Sequence, residues 1–321
     1  MAGIGIVSNP RSRRNLRDPA AAARLARLLG DEGRLLPAET PETLAAALRA
    51  FRESGVDLLA VNGGDGTLHR VVTGLAEGWG PTPWPLLLPL RGGAMNTVAH
   101  AHGLRGGPER LLRRLLEQRR AGREPPAVER DLLSVEAGGG PAAVGFLFGT
   151  GLAVTFLEAW YQDPEPSWAT ALLLLLRAAG SAVARGPLAR RLSRPTPLRI
   201  ASDGDEWPAD AFLAVVAGAI PELGFGFAPM ARCAEQPGSF HAVGITGTPL
   251  QLALRMPAVR LGRPWRRPLA LDAVARDLLL DAPRLRYSVD GDLFTSDGPV
   301  RVRAGPVARV VSARPGEPLP A

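Results

Sequence analysis

The stretch Val61-Asn62-Gly63-Gly64-Asp65-Gly66-Thr67 constrains this chain more than any other. It follows the apolar run Val56–Val61, which reads as a buried strand, and precedes Leu68–Leu75, whose apolar residues have helical spacing. A strand that runs through glycines into a helix belongs in a parallel α/β sheet, where ligands gather beyond the carboxyl ends of the strands. Three glycines let backbone N–H groups approach a phosphate closely. Asp65 cannot bind that phosphate directly. It needs a cation between them, or it must steer a donor, so the pattern points to a nucleotide with Mg²⁺. A tight strand-to-helix connection is the plainer explanation of the same glycines.

The surrounding pattern extends the unit. Ile4–Ser8 reads as a first strand ending in the polar loop Asn9–Asn15, followed by helices at Pro19–Leu29 and Pro41–Glu53, the latter with Thr40 as N-cap. Leu35-Leu36 reads as a short strand between them. Pro85–Leu90 is a further apolar strand, and it runs into a second glycine loop, Arg91-Gly92-Gly93-Ala94-Met95-Asn96-Thr97. Helices are expected at 97–103 and 108–119. Asn96 and Thr97 place short polar groups at a helix start, beside the expected phosphates or ribose, although an N-cap role explains Asn96 equally well. The polar break Ala121–Pro126 closes this region.

Beyond it, short apolar segments separated by turn signals recur at 131–136, 143–148, 197–201, 211–217, 240–245, 285–289, 299–303 and 307–312. They read as antiparallel sheet of sandwich or barrel type, interrupted by a helix around Ser167–Val183, with a loose tail after Ala313. The expected organisation is a Rossmann-like α/β domain over residues 1–126 and a β-sandwich domain over 127–321, whose last strands are free to return to the first.

Composition removes several chemistries. All 38 basic residues are Arg, against 31 acids, giving a formal net charge of +7. Without lysine there is no lysine-bearing P-loop, no protein-kinase lysine and no Schiff base. Phosphate must be met by backbone amides, Arg and metal. Cys233 is the sole cysteine, so no intrachain disulfide or cysteine cluster forms, which fits a reducing, cytoplasmic setting. His69, His100, His102 and His241 are too sparse and badly spaced for a zinc site, and His69 reads as a packed helix residue. The start Met1–Val7 lacks the basic region and apolar length of a signal peptide.

The residues Gly63–Thr67 and Pro89–Ala99 together resemble the diacylglycerol kinase catalytic domain, shared by bacterial lipid kinases and by sphingosine and ceramide kinases. Ile6–Pro10 looks like that family's opening strand and Asn-Pro loop. Phe148–Leu152, Gly224–Pro229 and Val289–Phe294 resemble its later glycine-rich and Asp-Gly-acid elements, so the likeness runs along nearly the whole chain. The resemblance implies an ATP- and Mg²⁺-dependent kinase of a lipid hydroxyl, diacylglycerol first among the acceptors. Ceramide or a sphingoid base, NAD, and a non-catalytic membrane-binding relative are the alternatives.

By resemblance, Asn9, Gly63, Gly64, Asp65, Gly66, Thr67, Gly92, Gly93, Asn96 and Thr97 would meet the nucleotide, Asp65 and Asp292 the metal, and Asp290 or Asp292 would be the base, with Asp65 also in the catalytic set. Read as strand residues two apart, Asp290 and Asp292 would point to one face. Asp-Gly is also a common hairpin turn, and Asp203-Gly204-Asp205 is expected to be one. The chain departs from the family at Ala94, usually Thr, at Thr97, often Asp, and at Asp292, usually Glu. The loss of a hydroxyl at Ala94 would weaken nucleotide binding by about 0.5–1.5 kcal/mol. The family's Asp-Gly after its Ala-Pro segment is here Glu235-Gln236-Pro237-Gly238. Asp131 matches an acid with a structural or metal role in relatives, or else pairs with an Arg.

Trp160, Tyr161, Trp168 and the run Ala171–Leu176 form an apolar stretch too short to span a bilayer. The Arg sets 177–194 and 255–267, the latter with Trp265, suit an anionic membrane surface, and no nucleic-acid-reading module is recognisable. The expected protein is peripherally membrane-associated, as a monomer or a homodimer.

Overall fold

A computed structural model describes residues 3–161 and 195–313. The helix expected at Ser167–Val183, the Arg residues from 177 to 194 and the tail after Ala313 lie outside the described residues. The chain divides into two compact units, Met1–Arg130 with Val307–Glu317, and Asp131–Pro306.

The first unit is an α/β fold. Strands β1 (Ile4–Ser8), β2 (Gly33–Pro37), β3 (Leu58–Asn62) and β4 (Leu86–Pro89) alternate with helices α1 (Arg13–Arg17), α2 (Ala21–Leu29), α3 (Pro41–Glu53), α4 (Asp65–Gly78), α5 (Thr97–Ala101) and α6 (Pro108–Arg120). The strands are parallel in the order β2-β1-β3-β4. The end of the last strand of the chain, at Val310, lies parallel to Leu87. Every residue of β1, β3 and β4 is buried, the signature of a sheet covered on both faces. On one face Ile4, Ile6, Leu58, Ala60, Leu86 and Leu88 pack with Leu25 and Leu29 of α2 and Leu112 and Leu115 of α6. On the other, Phe51 of α3 lies so close to Gly5 that a Cβ there would stand 3.1 Å from its ring.

Helix α3 begins as its sequence predicts. Thr40 Oγ1 accepts from Thr43 N, the Thr43 hydroxyl accepts from Thr40 N, and Pro41 opens the first turn. Helix α4 starts at Asp65, ahead of the apolar spacing at Leu68–Leu75, so Asp65 stands in its first turn rather than in the loop.

The second unit contains β5 (Ala127–Ala137, which begins in the first unit), β6 (Ala143–Gly145), β7 (Leu147–Gly151), α7 (Leu152–Tyr161), β8 (Thr196–Pro197), β9 (Arg199–Ser202), β10 (Asp205–Glu206), β11 (Ala211–Phe212), β12 (Ala214–Gly218), β13 (Phe240–Ile245), α8 (Pro249–Arg260), β14 (Ala270–Ala275), β15 (Asp277–Asp281), β16 (Leu285–Val289), β17 (Asp292–Ser296) and β18 (Val300–Val311, which ends in the first). One antiparallel sheet runs β14-β13-β12-β7-β16-β17. A second runs β10-β9-β15-β18, with β5 on β18 and β6 on β5. Phe148, Val215, Phe240 and Val289 of one sheet share a core with Leu133, Ile200, Leu278 and Val302 of the other. That is the expected sandwich.

Candidate active site

In the first unit, three polar loops leave the carboxyl ends of β1, β3 and β4 and are laced together. Asn9 Nδ2 donates to Thr67 Oγ1 at 3.0 Å, and the hydroxyls of Ser12 and Thr67 are 3.3 Å apart. Asn15 Nδ2 donates to the carbonyls of Asn9 (2.7 Å) and Asn62 (3.1 Å), bridging the ends of β1 and β3. Arg14 N donates to Gly92 O, and Gly92 N donates to Gly63 O. The expected loop residues Asn9, Gly63, Gly64, Asp65, Gly66, Thr67, Gly92, Gly93, Asn96 and Thr97 are therefore neighbours in one unit.

The glycines have a steric cause. A Cβ on Gly93 would stand 2.4 Å from the Gly64 Cα, one on Gly92 would stand 2.8 Å from the Gly63 N, and one on Gly63 would stand 2.4 Å from Thr67 Cβ. The two loops touch backbone to backbone, which no side chain permits.

Asp65 holds this arrangement. Its Oδ2 accepts from Thr97 N at 3.0 Å and its Oδ1 from Val98 N at 3.2 Å, so it caps α5 from a different segment of the chain. Burial pushes its carboxyl above the usual carboxylate range, against the opposing pull of those amides. Asn96 occupies the N-cap position of α5 with φ 53° but does not cap it. Its amide instead clips the loop, with Oδ1 accepting from Gly93 N at 2.8 Å and Nδ2 donating to Gly93 O at 2.9 Å. Thr97 is buried and meets Asp65 through its main chain.

The helix that starts at Asp65, like α6 behind Gly107, has no side-chain cap. Its N-cap is Gly64, extended and without a side-chain cap, whereas α3 is capped by Thr40 and α5 by Asp65. A fourteen-residue helix opened by glycines, with no side-chain cap, is suited to an anion. A small pocket lies there, lined by Gly63, Gly64, Asp65, Arg91 and Asn96 with apolar walls from Val61, Leu68, Pro89 and Ala99. Arg91 was not singled out as a site residue in the sequence. The signal was available, because in a chain without lysine a loop Arg beside two glycines is the natural phosphate cation.

In the second unit, Asp290 and Asp292 do not share a strand face as their spacing implied. Asp290 (φ 47°) and Gly291 (φ 94°) form the two-residue turn between β16 and β17, and Val289 pairs with Asp292 across it. Both central residues have positive φ, the primed hairpin geometry that Asp-Gly favours. The Asp290 carboxylate accepts from Phe146 N (2.9 Å to Oδ2) and Leu147 N (2.8 Å to Oδ1). A Cβ on Gly145 would stand 2.5 Å from its Oδ2. Asp203-Gly204 repeats the device, with φ of 50° and 93°, and Asp203 Oδ1 accepts from the N–H groups of Arg276 and Asp277. Asp290 is thus a buried turn peg, and Asp292 opens β17.

Asp131 Oδ2 accepts from Gly238 N at 2.9 Å. His69 is buried in α4. Among the described residues no group of three His, Cys, Asp or Glu could hold a metal by itself, and no helix is long and apolar enough to cross a membrane.

His102, just past α5, carries a pH dependence. It is buried, one ring nitrogen (Nδ1) lies 2.7 Å from Val98 O, and the other has no hydrogen-bond partner. Burial lowers its pKa from 6.5 to about 4. The folded state therefore favours neutral imidazole. As pH falls below 6.5 the unfolded chain takes up a proton that the folded chain refuses until about 4, and stability is lost across that window. The ceiling is about 3 kcal/mol. Urea midpoints measured from pH 7 to pH 4 should fall for the wild type and fall less steeply for His102→Gln; equal slopes would remove His102 as the cause.

Residues 4–122 match the family model "Diacylglycerol kinase catalytic domain". The resemblance read from Gly63–Thr67 and Pro89–Ala99 is borne out over that segment. Among curated proteins no sequence match reaches significance. The fold resembles a crystal structure described as a "putative diacylglycerol kinase" from Bacillus anthracis strain Sterne. The two share 16% identity at a TM-score of 0.68, with 97% of this chain and 96% of that one covered. It also resembles a structure described as a diacylglycerol kinase from the same strain, at 15% identity and TM-score 0.64, covering 97% and 96%. At such identities the likeness establishes the two-part fold.

Proposed function

We propose that the chain is a lipid kinase that transfers the γ-phosphate of ATP to a lipid hydroxyl, with diacylglycerol as acceptor and phosphatidic acid as product. The observation that carries this reading is the start of α4, a helix opened by Gly63-Gly64, left without a side-chain cap and faced by Arg91. The phosphates take the first-turn N–H groups and the guanidinium, which supply positive charge without a lysine. Asp65 keeps α4 and α5 in register, and its remaining lone pairs suit a hydrated Mg²⁺. That ion, when bound, would neutralise charge on the β- and γ-phosphates.

Asp292 is taken as the base of the late pair by its likeness to the family's late acid, while both oxygens of Asp290 accept backbone N–H groups. In the proposed step the lipid oxygen forms a bond to the γ-phosphorus, the bond from that phosphorus to the bridging oxygen of ADP breaks, and the hydroxyl proton passes to the Asp292 carboxylate. The diacylglycerol kinase domain match and the names of the structural neighbours favour a lipid acceptor over NAD.

The test is transfer of labelled γ-phosphate with diacylglycerol, ceramide, sphingosine and NAD in parallel. Labelled phosphatidic acid is expected. Asp292→Asn should lower kcat by roughly 10²–10⁴-fold and leave the dissociation constant of Mg-ATP within a few-fold. Label in NADP alone, or none in any acceptor, would overturn the reading.

A further inference from the structure

Helix α8 carries apolar residues on two opposite sides. Leu252, Met256 and Val259 form the inner stripe, and Val259 is buried. Leu250, Leu254, Pro257 and Leu261 form the outer one, and all four are exposed, Leu254 at 75%, Leu261 at 65% and Leu250 at 41%. At helical pitch the four outer residues fall within about 60° of arc, facing away from the inner set. Most exposed leucines are scattered singly, and an apolar stripe at i, i+4, i+7 and i+11 turned to solvent is a docking pattern.

The helix is rigidly presented. Thr248 and Gln251 form a capping box, and Ala228 N donates to Val259 O. Arg260 donates to Phe225 O at 2.7 Å with its guanidinium 5.8 Å from the Phe227 ring centre, and Trp265 Nε1 donates to Pro229 O at 2.8 Å.

The sequence that contains the stripe carries charge of one sign. No Asp or Glu lies between Glu235 and Asp272, and within that span Arg255, Arg260, Arg263, Arg266 and Arg267 occur. All but Arg255 are exposed.

We infer that the outer face of α8, with the Arg263–Arg267 segment, seats the protein on an anionic lipid bilayer. The leucines enter the boundary between headgroups and acyl chains, and the guanidinium groups meet lipid phosphates. A protein partner would have to offer an acidic, apolar groove; a bilayer with anionic lipid offers both properties over any area. This deepens the lipid-kinase reading, since it would hold the enzyme where an insoluble acceptor is dissolved, but vesicle binding is measured without nucleotide and stands apart from turnover.

The test is co-sedimentation of the full chain with vesicles of phosphatidylcholine alone and of phosphatidylcholine mixed with phosphatidylglycerol. Wild type should bind the mixed vesicles, more weakly as salt rises. Leu254→Glu with Leu261→Glu should lower binding by about tenfold or more. Arg263→Gln, Arg266→Gln and Arg267→Gln together should lower it by a similar factor, about tenfold, and flatten the salt dependence. The leucine variant should phosphorylate a water-soluble short-chain diacylglycerol as well as wild type does, which shows that it is folded. Loss of that turnover in wild type, with vesicle binding intact, would sink the kinase reading alone. Equal vesicle binding by the leucine variant and wild type, or no binding by wild type, would overturn the docking surface. So would light scattering that shows a wild-type dimer converted by the leucine variant to a monomer, which would make the stripe a self-association face.

Discussion

Asp65→Ala will leave a folded protein that no longer transfers phosphate, with kcat/KM for Mg-ATP down by about 10³-fold or more. Two losses combine. The carboxylate that caps α5 disappears, leaving Thr97 N and Val98 N unsatisfied, which costs about 0.5–2 kcal/mol of stability. The acid that lines the pocket at the start of α4 disappears with it, and any divalent ion beside the phosphates loses its carboxylate. Asp65→Asn separates the two. Its amide oxygen can still accept one N–H of α5, so most of the stability should return, while the charge does not. Denaturant midpoints and kinetics on the same three proteins check this. Recovery of activity in Asp65→Asn would reduce Asp65 to a cap, and unchanged activity in Asp65→Ala would remove it from the site.

Gly93→Ala should be the most disruptive single methyl in the two glycine loops. Its Cβ would sit 2.4 Å from Gly64 Cα, where ordinary contact begins at 3.4 Å, so the two loops must separate by about 1 Å. Both sides of the contact are backbone, and neither can rotate away. The expected cost is about 1–3 kcal/mol, with nucleotide affinity lost as the loops part. Gly78→Ala is the matched control. It lies at the end of α4 with nothing within 4 Å of its added Cβ, and should be neutral or stabilising by up to about 1 kcal/mol. Thermal melts with calorimetric titration of Mg-ATP compare them. Equal melting and binding for Gly93→Ala and wild type would show that the loops are not in contact.

The α/β half was legible because its signals are local. Leu58–Asn62 and Leu86–Pro89 are apolar runs ending at glycine loops, and Thr40-Pro41 marks a helix start. The functions of individual side chains were less so. Asp65 faces a helix that begins thirty-two positions later, and nothing in the spacing shows that its oxygens are taken by Thr97 and Val98. Asn15 and Arg91 were passed over for the same reason, since their importance comes from Asn62 and Gly63, which only the sheet brings near.

In the second unit, Ala270–Ala275 and Asp277–Asp281 were missed as strands. Their alanines and acids have weak strand preference, and pairing with β13 on one side and with β9 and β18 on the other decides their conformation. Helix α8 was missed because Pro257 sits inside it and because its two apolar stripes blur the amphipathic pattern. The Asp290–Asp292 spacing misled in the opposite way. A two-residue period was read where Asp-Gly imposes a turn, and Asp203-Gly204, read as a turn from the outset, was the better guide.

The most direct measurement is a crystal structure of the chain with Mg²⁺ and a non-hydrolysable ATP analogue. The triphosphate should lie across the first turn of α4, its oxygens meeting the N–H groups that follow Gly64 and the Arg91 guanidinium, with Asp65 linked to the ion. A triphosphate bound elsewhere, with the first turn of α4 and Arg91 touching only solvent, would contradict the proposed site.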